Sequence, residues 1–133
     1  MDKGPAVEYY TVGQEAWHTA ATWPPAGEQP LTLWLDGEHP ATSAGDGALV
    51  PAAPAEERTA GCRYDPADPA HNIIDMSENE LEVPEDYTEE EKREDYLCYT
   101  TPPLDRPLTV TGDCRVVLHA VTDGEDMDVV VRL

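Results

Sequence analysis

The sequence predicts an all-β sandwich, and three observations lead there. Thirteen prolines and nine glycines among 133 residues interrupt the chain too often for long helices. The stretches between these breaks are short and rich in β-branched and aromatic residues. They recur as seven or so candidate strands with turn signals between them, which is the mark of stacked antiparallel sheets rather than of alternating strands and helices. No internal repeat is visible.

Val7-Glu8-Tyr9-Tyr10-Thr11-Val12 reads as the first strand, stopped by Gly13. Residues 14–21 offer one or two helical turns, and Pro24-Pro25 ends any helix there. Leu31-Thr32-Leu33-Trp34-Leu35 alternates apolar and polar up to Trp34 and stops at Asp36-Gly37, a second strand. Gly45-Asp46-Gly47 signals a turn before the apolar piece Ala48-Leu49-Val50, and residues 51–58 form an exposed, proline-stiffened connection. Residues 59–64 form a strand closed by Asp65-Pro66-Ala67-Asp68-Pro69, and residues 70–77 a long loop.

Residues 78–95 hold ten acidic and two basic side chains, a net charge of −8. This insert reads as a solvated loop or a short surface helix around Thr88-Glu89-Glu90-Glu91, with Thr88 as cap and Glu91 completing a capping box. The last forty residues are the most β-like. Candidate strands are 96–101, 108–111, 114–122 and 127–133, with Val116, Leu118 and Ala120 marking a buried face on the third. Val129-Val130-Val131-Arg132-Leu133 ends inside a strand pattern, which predicts that another chain pairs there or that further strands follow. The expected organisation is one β-sandwich domain or fragment over 1–133. It divides into a lead-in (1–30), first strands and loop (31–77), the acidic insert (78–95) and a β-rich C-terminal part (96–133).

Composition excludes several functions. Asp and Glu number 28 against 8 Lys and Arg, so the net charge is −20. Nucleic-acid phosphates and anionic membrane surfaces both repel such a chain, so neither is an expected partner. No run of about 18 apolar residues crosses a bilayer, and no secretory leader pattern opens the sequence. Cys62, Cys98 and Cys114 are an odd set without metal-type spacing, which predicts buried free thiols in a reducing, cytoplasmic compartment. Hydrophobic content is 40% and Phe is absent, so the expected stability margin is thin.

Catalytic chemistry finds little to stand on. The two serines, Ser43 and Ser77, lie outside any Gly-x-Ser-x-Gly elbow, although Ser43-Ala44-Gly45 is a faint echo of one. His18, His39, His71 and His119 have no local zinc spacing and read as surface or partner-facing residues. Cys98 and Cys114 sit in apolar patterns and read as small buried hydrophobes. Residues 123–128 (DGEDMD) carry four carboxylates suited to calcium, but without EF-hand spacing they read as an acidic turn. Trp17, Trp23 and Trp34 fit either a sugar-stacking surface or packing in a core or against a neighbouring domain. No catalytic, cofactor or metal residue is predicted, and no cofactor.

Several segments together resemble the C-terminal β-sandwich of the X-Pro dipeptidyl-peptidase and cocaine-esterase-like (CocE/NonD) serine hydrolases. They are Val7-Glu8-Tyr9-Tyr10-Thr11-Val12-Gly13, Trp17, Ala21-Thr22-Trp23-Pro24-Pro25, and Leu31-Thr32-Leu33-Trp34-Leu35. Ala44-Gly45-Asp46-Gly47-Ala48-Leu49 and Tyr64-Asp65-Pro66-Ala67-Asp68-Pro69 follow in order. The most specific is residues 96–104 (YLCYTTPPL), continuing through Leu108-Thr109-Val110-Thr111-Gly112. Asp126-Met127-Asp128-Val129 stands where the family usually reads D-x-D-F. The acidic insert and Val129 depart from that pattern.

The resemblance covers nearly the whole chain and only the first part of the family's domain. It implies a jelly-roll-like, galactose-binding-like sandwich, cut short, with long loops and at most short helical turns. It also implies a non-catalytic accessory role: packing on an α/β-hydrolase catalytic domain, in cis or in trans, and helping shape its substrate pocket. None of the family's Ser-Asp-His residues has a counterpart here. The loop after the Y-D-P-x-D-P motif approaches the active-site mouth in such enzymes, which makes Ile73 and Ile74 expected pocket-wall residues. Exposed sheet edges predict a homo-oligomer. The competing reading is a free-standing carbohydrate- or protein-binding β-sandwich module.

Overall fold

The computed structural model describes Gly4 and residues 6–71 and 86–133. The chain is all-β: among the described residues it forms four short strands in two antiparallel pairs and a single turn of 3₁₀ helix. Its backbone divides into two compact units, Met1–Pro30 with Leu108–Leu133, and Leu31–Pro107.

The first unit is built on a hairpin. β1 (Val7–Thr11) pairs antiparallel with β2 (Ala16–Ala20), in a register that sets Val7 opposite Ala20 and Thr11 opposite Ala16. The connecting turn is closed by the Gln14 N–H donating to the Thr11 carbonyl at 3.3 Å. Gly13 sits at φ +83°, the left-handed value that the third position of a type II turn requires. Residues 14–21 were read as offering one or two helical turns; Ala16–Ala20 instead form β2. The turn at Gly13 folds them back beside β1, where Tyr9 faces His18 and Tyr10 faces Trp17. Both pairs bring ring centroids to 5.3 Å, cross-strand contacts of about 0.2–1 kcal/mol each that a helix would lose.

The second unit is built on β3 (Trp34–Asp36) and β4 (Ala48–Val50), which pair antiparallel with Leu35 opposite Leu49. The loop between them is drawn tight by Asp46, whose carboxylate accepts the N–H groups of His39 (2.7 Å) and Glu38 (3.1 Å). Residues 96–100 thread this loop. Cys98 N–H donates to Pro40 O (2.8 Å) and Thr42 N–H to Tyr96 O (2.9 Å), an antiparallel contact centred on Ala41 and Leu97. Thr100 then donates to Gly47 O (3.2 Å) and accepts from Leu49 N–H (2.9 Å), a parallel contact with β4. Gly47 permits this approach, because a Cβ there would lie 1.9 Å from the Cys98 carbonyl oxygen. Pro40, beneath the crossing, is fully buried.

Other expectations change in detail. The 31–35 strand begins only at Trp34, and residues 59–64 pair with nothing in regular fashion. Residues 96–101 reduce to the two bridges just described. Residues 108–111, 114–122 and 127–133 form no strand, and Val116, Leu118 and Ala120, expected on a buried face, are exposed. A strand pattern needs an adjacent backbone to become a strand, and among the described residues these segments have none in register. The Thr88 capping box does not form. The 3₁₀ turn Glu90–Lys92 is preceded by Glu89 without a side-chain cap bond, and the Thr88 hydroxyl donates to Asp86 (2.5 Å) instead. Cys62 and Cys114 are exposed rather than buried, and Cys98 is half-buried. Residues 51–58 are exposed apart from Pro54, as the prolines predicted.

Candidate functional site

Two constellations bring polar and aromatic side chains together, one in each unit. In the first unit the alternation of β1 and β2 sends Tyr9 and His18 to one face and Tyr10 and Trp17 to the other. Tyr9 stacks on His18 and meets Trp23 edge-on at 5.6 Å. Such aromatic pairs add about 0.5–1.5 kcal/mol beyond area burial. Trp23 is oriented by its indole N–H, which donates to Asp113 Oδ1 (3.2 Å), and Gln14 reaches Thr109 Oγ1 (3.1 Å). These bonds hold residues 108–113 beside the hairpin. An open cleft of about 360 Å³ remains, lined by Tyr9–Val12, Trp23 and Leu108–Gly112. Among the described residues His18 Nε2 is shut off from solvent and has no hydrogen-bond partner. On the opposite face Trp17 is 68% exposed, and Tyr10 donates its hydroxyl to the Glu15 carboxylate, which raises the Tyr10 pKa.

In the second unit the centre is Arg93. Its Nε and Nη2 donate to the two oxygens of Asp95, both at 2.9 Å, a bidentate pair. The same guanidinium reaches the Asp68 carbonyl oxygen (2.6 Å) and Asp68 Oδ1 (3.3 Å). Asp65 shapes the turn on that side, accepting Ala67 N–H with its carboxylate (2.9 Å) and Asp68 N–H with its carbonyl (3.1 Å). Nearby, His71 Nδ1 lies 3.2 Å from Glu90 Oε1. The hydrogen bonds from Arg93 hold the Asp95 carboxyl below the usual aspartate range, and Asp95 in return raises the Arg93 pKa. Arg93 is thus a fixed cation in this unit.

The residues singled out by chemistry do not converge. Ser43 is exposed, and its backbone N–H donates to Glu91 O (2.6 Å). Among the described residues no hydrogen bond joins its hydroxyl to a histidine, and no three His, Cys, Asp or Glu groups gather as metal ligands. Within the DGEDMD turn, Asp126 Oδ1 accepts Met127 N–H (2.8 Å). The Cys98 thiol is pushed up in pKa, first by burial and then by Glu91. No described helix is long and apolar enough to cross a membrane. Ile73, Ile74 and Ser77 lie outside the described residues. Asp46 and Arg93 were not singled out from sequence. The available signals were an aspartate between two glycines, and an arginine inside a run of acids.

Comparison with known proteins identifies the family. The chain belongs to the X-Pro dipeptidyl-peptidase C-terminal non-catalytic domain family, whose sequence profile matches residues 1–133. It is therefore not an enzyme on its own. The chain is also 30% identical over 132 residues to the cocaine esterase of Rhodococcus sp. (strain MB1 Bresler). That alignment covers 97% of this chain and 23% of the esterase, so the chain spans about a quarter of that relative's length. No solved structure matches it significantly.

Proposed function

We propose that this chain is the accessory β-domain of a serine hydrolase of the X-Pro dipeptidyl-peptidase or cocaine-esterase type. In this reading it packs on an α/β-hydrolase catalytic domain, in cis or in trans, and helps shape the substrate pocket, with Ile73 and Ile74 on the pocket wall. The parent reaction is acyl transfer to a serine of the catalytic domain, followed by hydrolysis.

The observation that carries the reading is the lack of a closed core. Among the described residues Pro40 alone is fully buried, while Trp17, Trp34, Leu108, Val117 and Val130 stand open to solvent. Exposed apolar surface on this scale marks a face that another protein surface covers. Without its partner the chain self-associates through these faces, which is where the homo-oligomer expectation now rests. Three free thiols support a cytoplasmic setting.

Co-expression of residues 1–133 with the cognate α/β-hydrolase domain tests the reading. The expected result is a stable complex with turnover of a p-nitrophenyl ester or an X-Pro anilide that neither part shows alone. Failure to associate would refute it, as would turnover by residues 1–133 alone that Ser43→Ala abolishes. The aromatic cleft of the first unit favours a second reading, a carbohydrate-binding module. Saturable quenching of Trp fluorescence by a sugar would favour that reading.

A further inference from the structure

The hairpin of the first unit has one covered face and one bare one. Its inward positions are half-buried, with Tyr9 against Trp23 and residues 108–113 held beside them. Its outward positions, Glu8, Tyr10, Trp17 and Thr19, are exposed, Trp17 to 68%. Pairing sets Tyr10 opposite Trp17 and Glu8 opposite Thr19. Glu8 is therefore the diagonal neighbour of Trp17, a spacing of about 7–8 Å that long side chains span.

The tip of the hairpin adds a second carboxylate to this face. Glu15 sits at φ +52°, a left-handed conformation uncommon outside glycine, and there it accepts the Tyr10 hydroxyl. Residues 7–20 contain no lysine or arginine. Among the described residues neither Glu8 nor Glu15 forms an ion pair. An indole face edged by two unneutralised carboxylates suits a guanidinium, whose plane stacks on the ring while its N–H groups reach the acids. An anion would be repelled there, and an aliphatic cover would strip water from two carboxylates and give them no partner. The surface is also open. Trp17 lines neither the cleft beside Tyr9–Val12 nor the hollow at Gly4 and Thr19–Ala21. A small free cation would find no enclosure here, whereas an arginine carried on a protein brings neighbours that cover Tyr10 and Thr19.

We propose that the outer face of the β1–β2 hairpin is a docking surface for a partner protein and takes an arginine of that partner, stacked on Trp17 and paired with Glu8 and Glu15. The inference gives the covering surface a chemistry and stands apart from pocket shaping. The titration below and the co-expression above fail independently.

The test labels the full chain with fluorotryptophan and assigns the Trp17 fluorine resonance by its loss in Trp17→Leu. Capped pentapeptides alternating glycine with arginine, lysine or uncharged citrulline are titrated in at about 0.15 M salt, where charges more than about 8 Å apart are screened. The arginine peptide is expected to shift the Trp17 resonance saturably while those of Trp23 and Trp34 hold still. The lysine peptide should bind about threefold or more weakly, the citrulline peptide should leave Trp17 unmoved, and Glu8→Gln with Glu15→Gln should weaken the arginine peptide about fivefold. No shift at Trp17 would overturn the proposal, as would an equal response to lysine or a saturable one to citrulline. A Trp17 shift on simple dilution would overturn it in favour of a second copy of the chain, and one on adding cellobiose in favour of a sugar platform.

Discussion

Replacing Gly47 by alanine asks whether the second unit is held by close approach of backbone to backbone. The added Cβ would sit 1.9 Å from the Cys98 carbonyl oxygen and 2.8 Å from Pro40 Cβ, where ordinary contact is about 3.5 Å. Neither neighbour is the end of a flexible side chain, so residues 96–100 must move out by more than about 1 Å. That displacement costs three hydrogen bonds: Cys98 N–H to Pro40 O, Thr100 N–H to Gly47 O, and Leu49 N–H to Thr100 O. At about 1 kcal/mol net each, the loss is about 3 kcal/mol, which is roughly a hundredfold in the local opening equilibrium. Native-state hydrogen exchange at the Leu49, Cys98 and Thr100 amides reads this directly. Gly61→Ala is the control, because a Cβ on Gly61 meets nothing within 4 Å. Equal protection in the two variants would refute the reasoning.

Three further outcomes follow from the geometry. The Asp46 pKa is lowered from its ordinary 3.8, mainly by the His39 N–H and then by the Glu38 N–H. A depressed carboxyl stabilises above its unfolded pKa and stops doing so as pH falls through the folded value. The Glu38 and His39 amide resonances should therefore hold their positions at pH 5 and shift only below 3.8; a midpoint at or above that value would contradict the clasp. Tyr9→Leu removes the ring contacts to His18 and Trp23, about 0.7–2.5 kcal/mol together. It should red-shift Trp23 emission, whereas Tyr10→Leu should leave that emission unchanged. With iodoacetamide at pH 8, Cys62 and Cys114 should be alkylated several-fold faster than Cys98, whose thiol is half-buried and raised in pKa. Equal rates by peptide mapping would count against that placement.

Local signals in the sequence were read correctly where they close on themselves. Val7-Glu8-Tyr9-Tyr10-Thr11 is a strand, and the turn read at 45–47 falls just before those residues, closed by Gly45 N–H donating to Thr42 O, because β propensity and turn chemistry both act within a few residues. The family segments were legible for a different reason, since their order along the chain carries the information. Residues 14–21 were misread because eight residues suit a helix or a strand equally well. The pairing of Tyr9 with His18 decides the matter, and it exists only after the turn at Gly13 has formed. Residues 114–122 had a clear apolar pattern and no adjacent backbone to pair with, which no local pattern can supply. Arg93 was hidden by its setting. A run of acids reads as a solvated surface, and which acid an arginine chooses depends on Asp68, 25 residues away.

The threading of residues 96–100 has a consequence for how such a domain diverges. Its neighbours hold this stretch by main-chain groups: Pro40 O, Thr42 N, Gly47 O and Leu49 N. Side chains at Leu97 and Tyr99 can be exchanged for other β-formers without breaking any of those bonds. A deletion of one residue between Pro40 and Gly47 is another matter. It moves the antiparallel grip on Cys98 out of step with the parallel grip on Thr100, and the two cannot then close together. Lineages carrying this loop should keep its length, together with Asp46 and Gly47 within it.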